Sequence, residues 1–565
     1  MDDKGAGESA APSMAGDRAL PNLVRVLLLA ALVQVVHLAY RAHTLWFVGD
    51  DWDPLLRRGT VPGASVSWLE PHYGNPSLLW VATYRAVFEV VGLRSYLPYA
   101  LVTIAFHIAT CGLLLLLLRT VSASGVVTFV VTWLLLFFGV GRDSLMLAAS
   151  LGHTASMGLG LAAAVVVLRS KWSHRGVGLA ALLLLLALAY SAEGVVSVTF
   201  VVLLALVAGQ WRRAIVIGGI PAAAFVLWFL LTPRGEGAIF TPSGREGALQ
   251  IPLHVWRSLT WPVGDAVGVR ALGAPLVLVL LLVVIGRRAR GGRLAHLALA
   301  GAGAAIGQGL LLALTRANYS EVMAGRYAYA TVVLLGPAVA LTLAELGERL
   351  QLSPRLAGPV LAVALLAYAI VGANSLQAYS AEMSDLTSRM PGRVLGMVAA
   401  VDAGERILHD TPPDFVNRDL APSLVSSARI RNVLPDGAAS AEDRLDVEVW
   451  HMTDASPQGV GLSSPTAVVG LDSFAEEILS ERGCRSYETT SATPALMFPT
   501  GQGAELQVDS GSRVVTVQLV RGDVKSGKRE FRAEEGPLVI ATTAKDAALF
   551  VAFDDPIGPY RICQR

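Results

Sequence analysis

The chain has 565 residues, of which 53% are hydrophobic and 16% charged, and its formal net charge is +1. Mean hydropathy is +0.54, far from the soluble-domain norm, which excludes an ordinary soluble enzyme and indicates an integral membrane protein whose first partner is the lipid bilayer. The near-neutral balance carries no electrostatic footprint for nucleic acid, and no such partner is expected.

Residues 1–19 are rich in Ala, Gly and Ser and read as a disordered cytoplasmic tail. A bilayer core of about 30 Å takes about 20 helical residues. Eleven apolar runs suit that length: 20–40, 97–118, 124–140, 144–168, 176–191, 194–209, 214–232, 264–286, 294–314, 327–346 and 356–375. The first has the positive flanks of a signal peptide but full spanning length and no small-x-small site after Tyr40, so it reads as a retained anchor.

Lys and Arg gather in alternate loops. With the tail inside, Arg119, "RSKWSHR" (Arg169 to Arg175), "WRR" (Trp211 to Arg213), "GRRARGGR" (Gly286 to Arg293) and "ERLQLSPR" (Glu348 to Arg355) also fall inside. The alternation holds only if "PSLLWVATYRAVFEVVG" (Pro76 to Gly92), which carries Arg85 and Glu89, lies at the outer surface as a helix. The outer face then holds the loop 41–96, "GRDS" (Gly141 to Ser144), "YSAEG" (Tyr190 to Gly194), Pro233 to Pro262 and "TRANYSEVMAGRY" (Thr315 to Tyr327).

Residues 376–565 contain no further spanning run and read as a β-rich extracytoplasmic domain with its own core. "RLDVEVW" (Arg444 to Trp450), "RVVTVQLV" (Arg513 to Val520) and "ALFVAF" (Ala548 to Phe553) have strand patterning. "SFAEEILSERG" (Ser473 to Gly483) reads as one capped helix. Of the three cysteines, Cys111 falls in a membrane run, while Cys484 and Cys563 fall in this domain, where either a disulfide or two free thiols is admissible.

The loop after the first run, "GDDWDPLL", places Asp50, Asp51 and Asp53 together. Asp53 before Pro54 has the pattern of a helix N-cap. Asp50 and Asp51 then remain on the turn at the bilayer mouth, where partial desolvation tunes a carboxylate. Solvation of an exposed loop is the plain alternative.

Several pieces together resemble the GT-C superfamily of polyprenyl-phosphate-sugar-dependent membrane glycosyltransferases, and in particular its actinobacterial members. They are the first helix leading into "GDDWD", the long outer loop with its surface helix, "GRDSLMLAASLGHTASMGLGLAAAVVVLR", and "GRYAYATVVLLGPAVA". The resemblance covers about residues 20–375. It implies a polytopic α-helical membrane protein, in line with the about 11 transmembrane helices read above, while the C-terminal extracytoplasmic β-rich domain lies beyond the resemblance. It also implies transfer of a sugar from a polyprenyl phosphate donor to a cell-envelope glycan, lipid or protein, on the outer face of the cytoplasmic membrane and with inversion.

Such a transfer needs a base for the acceptor hydroxyl, for which Asp50 is the first choice and Asp51 the second. The leaving phosphate needs cations, supplied by Arg142 and by Arg326 beside Tyr327, all at the edges of apolar runs. Arg142 has Asp143 as an alternative partner, and Arg326 can serve as an interfacial anchor. His72, Glu70 and His153 are candidates for acceptor or donor contact, against ordinary loop and helix hydrogen bonding. His107 inside a run is expected to pair within the bundle. No cofactor is expected and no divalent metal, since the chain shows neither CxxC nor HExxH. A lipid-linked sugar flippase and a non-catalytic glycan-binding membrane protein remain as other classes. Abundant Ala, Gly, Val, Leu and Arg with scarce Lys fits a GC-rich actinobacterial genome.

Overall fold

A computed structural model describes residues 15–58, 66–72, 74–232, 244–288, 291–316, 325–350, 354–402, 420 and 422–450, and beyond these the strands together with Asp523 and Ser526. The tail before residue 15, most of "TRANYSEVMAGRY" and the start of the Pro233 loop lie outside the described residues.

The apolar runs fold as helices. In chain order they are α1 (Ala15–Ala42), α2 (Leu78–Val91), α3 (Leu97–Thr120), α4 (Gly125–Leu136), α5 (Arg142–Met146), α6 (Leu151–Arg169), α7 (His174–Tyr190), α8 (Glu193–Val207) and α9 (Trp211–Leu231). They continue as α10 (Gly244–Ala266), α11 (Gly273–Arg288), α12 (Arg293–Arg316), α13 (Gly325–Leu350) and α14 (Pro354–Ser388). Nine helical stretches among the described residues are long and apolar enough to cross a membrane, and α7 and α8 are shorter apolar helices. The protein is a multi-pass α-helical membrane protein.

Helix starts follow local chemistry. The Ser124 hydroxyl accepts from the Val127 N–H and the Ser173 hydroxyl from the Gly176 N–H, each satisfying a donor at a helix N-terminus. Outward faces stay apolar: Leu28 on α1 is 66% exposed, Leu230 on α9 is 69% and Val363 on α14 is 68%, as contact with lipid requires. Inward faces pack on small residues, so that Ala295 and Ala298 of α12 meet Ala338 and Leu341 of α13. His107 pairs inside the bundle as expected, its Nδ1 3.1 Å from the Tyr329 hydroxyl and its Nε2 3.3 Å from the Leu136 carbonyl.

The chain divides into two compact units. One comprises Met1–Leu45, Ser67–Val87 and Tyr96–Ser384; the other comprises Trp46–Val66, Phe88–Ser95 and Asp385–Arg565. The second holds α15 (Met390–Asp402), α16 (Pro422–Val425), α17 (Ala428–Arg431) and α18 (Ala441–Trp450). Its described strands pair antiparallel into two six-stranded sheets. In one, Ala548–Phe553 lies between Ala495–Pro499 and Val514–Arg521. In the other, Tyr560–Gln564 lies between Cys484–Thr489 and Ala504–Val508.

Three local expectations are overturned. "RLDVEVW" is not a strand but the body of α18, because a capping box starts a helix just upstream: the Ser440 hydroxyl accepts from the Asp443 N–H at 3.0 Å, and the Asp443 carboxylate accepts from the Ser440 N–H at 2.9 Å. "SFAEEILSERG" is not a helix, since Ala475–Glu481 is a strand paired with Cys484–Thr489, and sheet pairing overrides the helical preference of its Ala, Glu and Leu. Part of the Pro233 to Pro262 loop is helical: α10 accommodates both Pro252 and Pro262.

Candidate functional site

In the helical unit, the predicted cations come together through two close backbone approaches. Cβ atoms at Gly139 would strike the backbone of Gly372 on α14, so only glycine lets this turn reach that helix and set Arg142 at the start of α5. Gly325, the first residue of α13, faces the same turn; a Cβ there would lie 2.7 Å from the Val140 carbonyl oxygen and 3.3 Å from Asp143 Cγ. Arg326 is thereby delivered beside Arg142 and Asp143.

Tyr379 of α14 joins them. The Arg142 guanidinium carbon lies 4.8 Å from the centre of its ring. The Tyr379 hydroxyl lies near the Asp143 carboxylate and within the field of both Arg142 and Arg326. Two guanidinium groups, one carboxylate and one phenol thus share one place at the ends of apolar helices. The cations outnumber the carboxylate in this group, which suits an anion.

His153 and Tyr327 extend the group. Arg326 lies over the Tyr327 ring, 5.3 Å from its centre, and His153 meets that ring edge-on at 5.9 Å and 82°. Tyr327 is fixed by its main chain, whose carbonyl accepts from Gln308 Nε2 at 3.1 Å. Behind His153 stands Glu193, with Oε1 2.8 Å from Nδ1. Sequence reasoning missed Glu193 and Tyr379. An acidic residue between two apolar runs, in "YSAEG", was a usable signal for the first; Tyr379 carried none.

His72 and Glu70 occupy the stretch before α2. His72 and Asn75 exchange backbone hydrogen bonds of 2.9 Å in both directions, and the His72 ring lies 5.0 Å from that of Trp80. The aromatic series continues through Tyr84 to Tyr99 at centroid distances of 5.3 and 5.4 Å. Glu70 accepts from the Ser67 N–H at 3.2 Å and so closes its own turn.

The acidic pair belongs to the second unit. Gly49 has φ +61°, a left-handed conformation that glycine tolerates, and opens a single 3-10 turn over Gly49–Asp51. Asp51 is buried and its Oδ2 accepts from the Val48 N–H at 3.1 Å, whereas Asp50 is half-buried. Trp52, fully buried, anchors the turn against Trp46 at 5.6 Å and Phe47 at 6.0 Å. Asp53 is not the expected N-cap. The helical turn Asp53–Arg57 starts from Trp52, and the Asp53 carboxylate instead accepts from Arg58 Nε at 2.7 Å, because Arg58 is buried and requires a counter-charge.

No family model matches this chain, and no curated protein matches it. Among solved structures, the chain is similar to ArnT from Cupriavidus metallidurans bound to undecaprenyl phosphate, with a TM-score of 0.45 and 14% identity over 71% of this chain and 84% of that one. It is similar to the same protein in the apo state with a TM-score of 0.46, the same identity and the same coverage.

Proposed function

We propose that this protein is a GT-C-type glycosyltransferase that moves a sugar from a polyprenyl phosphate to a cell-envelope acceptor on the outer face of the cytoplasmic membrane. The observation that carries this reading is the gathering of Arg142 and Arg326 around Tyr379 at the ends of apolar helices. A lipid phosphate presents its charge at that depth, and guanidinium groups bind it through paired, charge-assisted hydrogen bonds.

The chemistry of such a transfer calls for a base and for cations at the leaving phosphate. Asp50, less enclosed than Asp51, takes the proton of the acceptor hydroxyl as its oxygen attacks the anomeric carbon. The bond from that carbon to the phosphate oxygen breaks with inversion, and Arg142 and Arg326 neutralise the charge that develops on the departing polyprenyl phosphate. Asp51, engaged with the Val48 N–H, holds the turn that presents Asp50.

The test is a transfer assay on membranes containing the wild type, Asp50→Asn and Asp51→Asn, supplied with radiolabelled polyprenyl phosphate sugars and an envelope acceptor extract. Transfer by the wild type and its loss in a folded Asp50→Asn protein supports the reading. Equal transfer by all three proteins removes the acidic pair from catalysis. The short helices α7 and α8, with the ionisable Glu193 between them, favour a lipid-linked sugar flippase as the second reading; movement of donor across vesicles without transfer by any of the three would select it.

A further inference from the structure

Glu193 opens α8 and His153 stands near the start of α6, and their facing atoms are 2.8 Å apart with the side chains only 11% and 17% exposed. The second oxygen of the Glu193 carboxylate accepts from the Ser191 hydroxyl. The frame around the pair is rigid. A Cβ at Gly152 would lie 2.8 Å from the Tyr190 carbonyl oxygen and 3.3 Å from Ser191 Cβ, so the turn between α7 and α8 is pressed onto the start of α6. Lower down, the Ser156 hydroxyl donates to the Ala187 carbonyl at 2.7 Å and the Ser197 hydroxyl to the Ser156 carbonyl at 2.9 Å, tying α6 to both helices.

An enclosed contact between a carboxylate and a histidine is a poor way to hold helices together, since apolar side chains of the same volume serve stability as well or better. Ionisable groups kept in an apolar bundle at that cost mark function. The free side of His153 shows which function, because its ring meets Tyr327, the residue over which Arg326 lies.

We infer that Glu193 is a positioning residue of the donor-phosphate site: its carboxylate fixes the His153 ring at Nδ1 and so turns Nε2 toward the phosphate oxygen that Arg326 also binds. Ser191 occupies the second carboxylate oxygen and keeps the first on His153. This inference rests on the glycosyltransferase reading and adds a third phosphate contact to its anion site.

The experiment measures binding of undecaprenyl phosphate to the full chain in detergent by native mass spectrometry, for the wild type, Glu193→Gln, His153→Gln, the double variant and Arg326→Ala. Glu193→Gln and His153→Gln each weaken binding by about tenfold, the worth of one charge-assisted hydrogen bond. The double variant binds no more weakly than His153→Gln, because Glu193 acts only through His153. Ser191→Ala, which leaves the carboxylate in place, gives a smaller loss of about threefold that disappears in the His153→Gln background. It decides the matter if Glu193→Gln does not fold. Losses that add in the double variant, or an unchanged Glu193→Gln, overturn the inference alone when the wild type binds and Arg326→Ala does not. A wild type with no saturable binding overturns the phosphate-site reading and this inference with it.

Discussion

Nε of Arg58 sits 2.7 Å from Oδ2 of Asp53, and each side chain is only 1% exposed. The pair closes the segment just after the acidic turn, with Arg57 at 3.8 Å from the other carboxylate oxygen. Breaking a buried pair by removing one member costs about 3–5 kcal/mol, whereas replacing both by apolar groups is close to neutral. Asp53→Ala and Arg58→Met therefore each lower the thermal midpoint in detergent, and Asp53→Leu combined with Arg58→Met regains most of the loss. A double variant as unstable as the sum of the singles would show that the pair does not act as a unit.

Gly325 and Gly347 lie on the same helix and respond to the same substitution with opposite sign. At Gly347 an added Cβ meets nothing within 4 Å, so Gly347→Ala gains about 0.5–1 kcal/mol from helix propensity. At Gly325 the Cβ meets the Val140 carbonyl oxygen at 2.7 Å, and backbone cannot yield cheaply. Gly325→Ala loses about 1–3 kcal/mol and moves Arg326 away from Arg142. Thermal midpoints compare the stabilities. Under the proposed function, affinity for a polyprenyl phosphate falls only for Gly325→Ala and reports the displaced arginine.

The apolar runs were legible because spanning length is a property of one segment, and each of the eleven expected runs has a helical counterpart. That Arg142, Arg326, Tyr327 and His153 stand at the edges of apolar runs was legible for a related reason: an ionisable or amphipathic group there stands out without knowledge of its neighbours. Partnerships across the chain were not legible. Nothing near Tyr379 announces that Asp143 and two arginines surround it, and nothing near Asp53 announces that Arg58 is buried beside it. Alternation in "RLDVEVW" misled because Val447 and Asp446 have distinct roles on one helix, the first buried and the second facing Arg389 at 3.3 Å.

Cys484 and Cys563 are Cα partners on adjacent antiparallel strands. Such partners lie about 4.5–5.5 Å apart, inside the range of about 4.4–6.8 Å that a disulfide spans. Cys111 is buried in α3 and free. If the second unit faces an oxidising compartment, the paired thiols lose two protons and two electrons to a disulfide-donating oxidoreductase there. Protein taken from membranes under an alkylating agent, then denatured without reductant, is expected to carry the label at Cys111 alone and at all three cysteines after reduction. Label at Cys484 and Cys563 without reduction would rule out the bond.

Tyr379 offers the sharpest separation of packing from charge in the arginine group. Tyr379→Phe keeps the ring beneath Arg142 but removes the hydroxyl that lies near Asp143. Under the proposed function the carboxylate then competes with the phosphate for the arginines, so donor KM rises about threefold to tenfold while the thermal midpoint moves little. Tyr379→Ala also removes the cation–π contact, worth about 0.5–2 kcal/mol, and lowers the midpoint as well. Asp143→Asn combined with Tyr379→Phe removes the competing charge and returns donor KM towards the wild-type value. If the double variant is as impaired as Tyr379→Phe alone, the phenol contacts the substrate itself, and Asp143 is not the group it restrains.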